Sequence, residues 1–216
     1  MPLPIIPIAL WGAGAAVVAA ASYYLFSDSD ESENKKEINN KVLVTGPKES
    51  GKTTLINYIA NGENKLKIQA GNNAIINIEI DEWSFDKEND ASELKKKVAN
   101  SETVVYVVRY DAFEGNKNQY SRFKSDFYHI GKQVGHDEGD ADYKILLIVT
   151  HCEKPLHNKS NINSFDDVHS AITKLPDFEK AVAQVSACDL KVVCGSMKKE
   201  KYVKALIEKI ENHLKG

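Results

Sequence analysis

Gly46-Pro47-Lys48-Glu49-Ser50-Gly51-Lys52-Thr53-Thr54 is the stretch on which the reading of this chain turns. Two glycines with four residues between them, then Lys and Thr, satisfy the spacing G-x4-G-K-[ST]. The apolar run Val42-Leu43-Val44-Thr45 precedes it, and Thr53–Ala60, reading TTLINYIA, follows it with helical character. That places the glycine-rich turn between a strand and a helix, the arrangement phosphate binding requires. Glycine lets the backbone curl its N–H groups around an anion, and the first turn of the helix adds a favourable dipole. Phosphate contacts are therefore expected from Gly46, Lys48, Glu49, Ser50, Gly51, Lys52, Thr53 and Thr54. Lys52 is expected to reach the β- and γ-phosphates, and the Thr53 hydroxyl to hold Mg²⁺.

Beyond this loop, short β-rich runs alternate with helical ones. Strands are expected at Val42–Thr45, Ala74–Ile80, Thr103–Val108, Ile145–Thr150 and Lys191–Cys194. Helices are expected at Thr53–Asn61, Ala91–Asn100, Gln119–Lys132, Phe165–Leu175 and Lys199–Leu214, the last with Val203, Leu206, Ile207 and Ile210 on one face. Alternation of this kind predicts an α/β fold: a doubly wound, mainly parallel sheet covered by helices on both faces, in a P-loop nucleoside-triphosphate-binding domain. The chain has 216 residues, 42% hydrophobic and 27% charged, enough for one such domain and an appendage. A formal net charge of −3 gives no reason to expect nucleic acid. Cys152, Cys188 and Cys194 are odd in number and lack metal-type spacing, which suits reduced thiols.

The appendage is N-terminal. No charged side chain occurs from Pro2 to Ser27, and the apolar run Ile5–Phe26 would span roughly 33 Å as a helix, about the hydrocarbon thickness of a bilayer. Residues 1–27 thus read as one transmembrane anchor, with membrane contact through residues 5–26 and Tyr23 and Tyr24 near one interface. A cleaved signal peptide ending near Ala19-Ala20-Ala21 and a buried core helix are the rival readings; no Lys or Arg precedes the run, which argues against the former. Residues 28–40 read as a polar linker, and 41–216 as the nucleotide-binding domain. The linker flank carries both signs of charge, so orientation follows from chemistry: nucleoside triphosphates are cytosolic, and the domain is expected in the cytosol.

The choice of base rests on Thr150-His151-Cys152-Glu153, which follows the fourth of these strands. The segment resembles the guanine-reading motif of P-loop GTPases, usually [NT]-K-x-D. The resemblance implies that Thr150 takes the Asn/Thr place, His151 covers the base, and Glu153 accepts hydrogen bonds from guanine. The variant is similar to forms in the septin-like branch that includes plant chloroplast-import and immune-associated GTPases. A polar turn whose acid caps the next helix is the plain alternative. Gly51-Lys52-Thr53-Thr54-Leu55 with Asn61-Gly62-Glu63 is similar to the Arf-like GTPases, and one membrane helix before an Arf-like domain is the architecture of the signal-recognition-particle receptor β subunit. The family's last guanine contact, a Ser-Ala turn, corresponds to Ser196 in Gly195-Ser196-Met197, with Ser186-Ala187 as the alternative.

The family's D-x-x-G motif corresponds to Asp81 with Ser84 in the glycine's place, so Mg²⁺ is expected at Thr53 and Asp81, with Asp111 as the alternative acid. Asn61–Ile80 has no threonine for the first switch, and no glutamine follows Asp81 to position water. The chain's only arginines are Arg109 and Arg122. These features imply a membrane-anchored protein that binds GTP or GDP with Mg²⁺ and hydrolyses GTP slowly or with help from a protein partner at the switch face. Lys52 and Thr53 are then the catalytic residues. A nucleotide-holding adaptor without turnover and a P-loop ATPase or kinase are the alternatives. The acidic loop His136–Asp142 reads as a solvated connection, and His151 with His157 does not make a metal pair.

Overall fold

Val42, Leu43 and Val44 in strand β1 (Lys36–Thr45) are all buried, so both faces of this strand must be covered. The computed structural model describes residues 36–61, 63–70, 74–83, 91–134, 143–153 and 163–215. Helix α1 (Lys52–Ala60) follows β1, and then come β2 (Lys65–Ala70) and β3 (Ala74–Glu82). Helix α2 (Ala91–Ala99) leads to β4 (Thr103–Arg109), a 3-10 turn at Tyr110–Phe113 and helix α3 (Lys117–Val134). After β5 (Lys144–Thr150) come α4 (Phe165–Thr173), α5 (Pro176–Val182), a 3-10 turn at Ala183–Val185, β6 (Asp189–Cys194) and α6 (Glu200–Lys215).

The sheet order is β2-β3-β1-β4-β5-β6, parallel throughout except for β2 against β3. The fold is therefore the expected α/β class with a mostly parallel sheet, here with an antiparallel edge strand. Side chains alternate strictly between two cores. Val42 and Val44, Val105 and Val107, and Leu146 and Ile148 pack with α1 and α6. Leu43, Val104, Tyr106, Val108, Ile145, Leu147 and Val149 pack with α2, α3, α4 and α5 on the other face. From β1 the chain winds outward to β3 and then crosses to β4 on the opposite side of β1. The carboxyl ends of β1 and β4 therefore flank a topological switch point, where open α/β sheets bind ligands.

Three elements depart from the sequence reading. Strand β1 begins at Lys36, so Lys36–Asn40 join the sheet, opposite Ala74–Ile78 of β3, instead of belonging to the linker. Their polarity hid this. Asn77 Nδ2 donates to Asn39 Oδ1 at 3.2 Å, and Ile38 is 40% exposed, so this half of β1 has no buried apolar side chain of its own to detect. Strand β2 was also unforeseen: Ile68 is its one fully buried side chain, and Lys65 and Lys67 are exposed, as suits a protected edge. The expected helix Phe165–Leu175 is present as α4, and an unexpected short helix, α5, opens at Pro176 just beyond it. Among the described residues no helix is long and apolar enough to cross a membrane. The anchor expected at Ile5–Phe26 lies outside the described residues.

A buried polar triad ties α3 to the sheet. Asp126, 1% exposed, accepts from the Tyr106 hydroxyl at 2.8 Å and pairs with Arg122 at 2.8 Å. Burial pushes its carboxyl pKa up to about 6, against the opposing pull of Arg122 and the hydrogen bond from Tyr106. The folded state thus holds a proton that the unfolded chain releases near pH 4. This contribution to stability is present below the unfolded pKa and is lost as pH rises through about 6. Between pH 4 and pH 7, urea denaturation of Asp126→Asn and wild type should show the difference in unfolding free energy moving in the variant's favour by roughly 2 kcal/mol. A difference independent of pH would show that Asp126 ionises normally.

Candidate functional site

The loop after β1 is fixed by close backbone packing. Gly46 has φ 139°, and a Cβ there would stand 2.0 Å from the Val107 carbonyl oxygen of β4. Glu49 (φ 62°) and Gly51 (φ 99°) are also left-handed, so the chain curls back on itself before α1. At the centre of the curl, buried Lys52 donates to the carbonyls of Gly46 at 2.9 Å and Pro47 at 2.8 Å. Helix α1 has no side-chain N-cap bond and no acid in its first turn. Its orphan N–H groups and positive dipole end therefore suit an anion.

The acid beside this loop is Glu82, and not Asp81. Thr53 Oγ1 donates to Glu82 Oε1 at 2.6 Å, whereas Asp81 pairs with Lys97 of α2 at 2.6 Å. Strand parity is the reason. Asp81 lies opposite Leu43, whose side chain faces α2, and Glu82 lies opposite Val44, whose side chain faces α1. The structure thus brings Glu82 to Thr53, and does not bring together the expected pair Thr53 and Asp81. The alternative, Asp111, is held by Arg109 at 2.7 Å. Ser84, the acidic loop at 136–142 and His157 lie outside the described residues.

At the end of β5, Thr150 is fully buried and links three segments. Its hydroxyl donates to the Ser50 carbonyl at 2.8 Å, lies 3.2 Å from that of Val108, and meets His151 Nδ1 at 3.0 Å. His151 takes a left-handed turn, φ 59°, which redirects the chain so that His151 and Glu153 both line the cavity. The β6 turn is bonded to this one: Gly195 N–H donates to Val149 O at 3.0 Å, and Cys152 N–H to Gly195 O at 3.2 Å. Burial raises the Glu153 carboxyl pKa, but hydrogen bonds from the Ser196 hydroxyl and its own backbone N–H, with His151 and Lys198 nearby, outweigh that and hold it below the usual range. Glu153 is therefore an ionised acceptor in a buried setting. Ser186 ends a 3-10 turn before β6 and is not among the lining residues; Ser196 is.

These pieces meet in one cleft of about 600 Å³. Lys48, Glu49, Gly51, Lys52, Thr53 and Thr54 line one part, and His151, Glu153 and Ser196 another. Gly46, Ser50 and Thr150 are fully buried behind it and shape the walls. Three lining residues were not anticipated: Glu82, Met197 and Lys198. Parity along β3 could have identified Glu82. The lining carries three lysines (48, 52 and 198) against three carboxylates (49, 82 and 153), so side-chain charge is balanced. Selective attraction for an anion must then come from the backbone N–H cradle and the local position of each lysine.

No family model matches the chain, and no curated protein matches its sequence. Among solved structures it is similar to two crystal structures of SsGBP point variants. The one carrying a glycine-to-proline replacement has 19% identity and a TM-score of 0.53, over 80% of this chain and 56% of that one. The glycine-to-serine variant has 18% identity and a TM-score of 0.50, over 81% and 54%. This chain spans just over half the length of those proteins, and at such identity the likeness shows the fold alone.

The Thr150 hydroxyl ties the loop after β1 to the ends of β4 and β5, so its removal should be felt in stability. Thr150→Val keeps the shape and strips the hydroxyl, leaving the buried Ser50 carbonyl short of a donor. A loss of about 1–3 kcal/mol in urea unfolding is expected. An unchanged midpoint and slope would show that the hydroxyl link is dispensable.

Proposed function

We propose that this protein is a membrane-anchored, GTPase-like guanine-nucleotide-binding protein. The observation that carries the proposal is the joining, in one cleft, of the Lys52–Thr53 cradle with His151, Glu153 and Ser196. A nucleotide has two chemically distinct ends, and this cleft has two matching regions. The cradle offers backbone N–H groups and a lysine to phosphates. Glu153 offers an ionised carboxylate whose Oε2 has no hydrogen-bond partner among the described residues. Guanine presents N1–H and an exocyclic amine to such an acceptor; adenine presents an acceptor at N1 and no amine at C2. The strand–loop–helix context of Gly46–Thr54 and the resemblance of Thr150–Glu153 to the guanine motif support the same reading.

Mg²⁺ fits this site through Thr53 and Glu82. The two hard oxygens lie 2.6 Å apart, and Mg²⁺ characteristically takes one or two protein ligands while phosphates and waters fill the rest. Among the described residues no cluster of three or more His, Cys, Asp or Glu could hold a metal alone. When bound, the ion supplies charge neutralisation at the phosphate oxygens. The chain's own residues orient the phosphates through Lys52 and the loop N–H groups, and fix the base through Glu153 and Ser196. Residues 5–26 supply the proposed anchor, with the domain on the cytosolic side.

A second reading, an adaptor that holds nucleotide without turnover, draws on Asn61–Ile80. This segment lacks threonine, and strands β2 and β3 take up most of it. Equilibrium binding by the full-length chain, with Mg²⁺ present, separates the nucleotide classes. GDP and GTP should bind at least about 100-fold tighter than ADP and ATP, and Glu153→Ala should narrow that ratio at least about tenfold. Lys52→Ala should weaken all four. A preference for adenine nucleotides would overturn the proposal in favour of an ATPase or kinase.

A further inference from the structure

Hydrolysis of GTP places the greatest demand on positive charge near the γ-phosphate, and the following inference rests on the GTPase reading above. A water oxygen forms a bond to the γ-phosphorus as the bond to the β–γ bridging oxygen breaks. The electron pair stays on the β-phosphate of GDP, and the water's proton leaves with inorganic phosphate or to solvent. Charge shifts toward the bridging and equatorial oxygens, so a cation placed there lowers the barrier.

Most cations around the switch point have other commitments. Arg109 is paired with Asp111 at 2.7 Å, and Arg122 with buried Asp126 at 2.8 Å. Lys97 is paired with Asp81 on the α2 face. Lys52 is buried in the curl of the loop, and Lys198 lies beside Glu153 in the base region. Lys48 differs from all of these. It is exposed, lines the cleft beside the phosphate cradle, and forms no ion pair among the described residues.

Its backbone is nevertheless held. The Lys48 carbonyl accepts a hydrogen bond from Gln119 Nε2 at 3.1 Å, which joins it to the start of α3. Buried Pro47 precedes it, and left-handed Glu49 follows. A fixed Cα carrying a flexible ammonium that is unpaired among the described residues is the arrangement that lets a lysine follow charge as it moves.

We propose that Lys48 stabilises the transition state of GTP hydrolysis in cis, so that this chain turns over GTP without a cation from a partner. Gln119 acts as a positioning residue through the Lys48 carbonyl. The rival role for Lys48 is ground-state phosphate binding, and kinetics separates the two. A residue that acts only in the transition state changes the rate and leaves affinity alone; one that binds the ground state changes both nucleotide affinity and KM.

The test is single-turnover GTP hydrolysis by the purified full-length chain, with Kd for GDP and a non-hydrolysable GTP analogue measured in parallel. Lys48→Ala should lower the rate about 100-fold and, because Lys48 also lines the phosphate cradle, weaken both Kd values by far less, at most about tenfold; Lys48→Arg should restore most of the rate. Lys48→Ala should also lose aluminium-fluoride-dependent complex formation with GDP while still binding GDP. An unchanged rate, or an affinity loss as large as the rate loss, would overturn the role of Lys48 and leave the GTPase reading intact. A wild-type rate no higher than that of Lys52→Ala would overturn both.

Discussion

The backbone contact between Gly46 and Val107 sets the geometry on which the rest of this structure depends. With no side chain at Gly46, β1 and β4 can turn their carboxyl ends together, and the loop can curl tightly enough to bury Lys52. The positive φ at Gly46, Glu49 and Gly51 follows from that curl, as does the entry of α1 without a capping side chain. Thr150 then fastens the same loop to β5 through the Ser50 carbonyl. The cleft is thus a product of strand ends meeting at a switch point. Its walls are set by the sheet itself, which is stiffer than any surface loop.

What could be read from the residues follows where the physics is local. The central strands were legible because both faces of Val42–Thr45, β4 and β5 are buried, β3 because Ile76, Ile78 and Ile80 alternate, and α6 because its buried residues recur at helical spacing. The loop Gly46–Thr54 was legible because its spacing encodes its backbone. Strand β2 and the first half of β1 were not, since each lies where the sheet is only partly covered and polar residues are tolerated. Asp81 and Glu82 show the same limit at a finer scale. Adjacent acids in a strand are equivalent in composition and opposite in direction, and only the pairing of Glu82 with Val44 decides which one meets Thr53. Of the residues expected to contact a base, His151, Glu153 and Ser196 line the cleft, and Thr150 lies buried behind it. The nearness of Met197 and Lys198 required the folded turn after β6.

Electrostatics gives the cleft a polarity that composition does not convey. Its formal charges cancel, yet the acids stand in different settings. The Glu153 carboxylate is held ionised by Ser196, its own N–H, His151 and Lys198, while Glu82 stands beside Thr53. On the proposed reading, one acid meets the hydrogen-bond donors of guanine and the other meets a hard cation, and neither faces the phosphates unaided. A cation shared between Glu82 and the phosphates would remove the repulsion that an acid at the cradle otherwise creates.

Binding and turnover make different demands, and the two are unequally provided for. Binding needs a rigid cradle and a fixed acceptor, and on the proposed reading both sit on turns that directly follow buried strand ends. Turnover needs groups that gain interaction as charge moves. In Asn61–Ile80 the chain spends its residues on an edge strand and its partner, and it supplies no threonine there. On the proposed reading, catalytic assistance from the described residues then comes from the loop Gly46–Thr54. Lys52 is engaged by two carbonyls, so the burden falls on the exposed lysine two positions after Gly46, whose backbone α3 already holds in place.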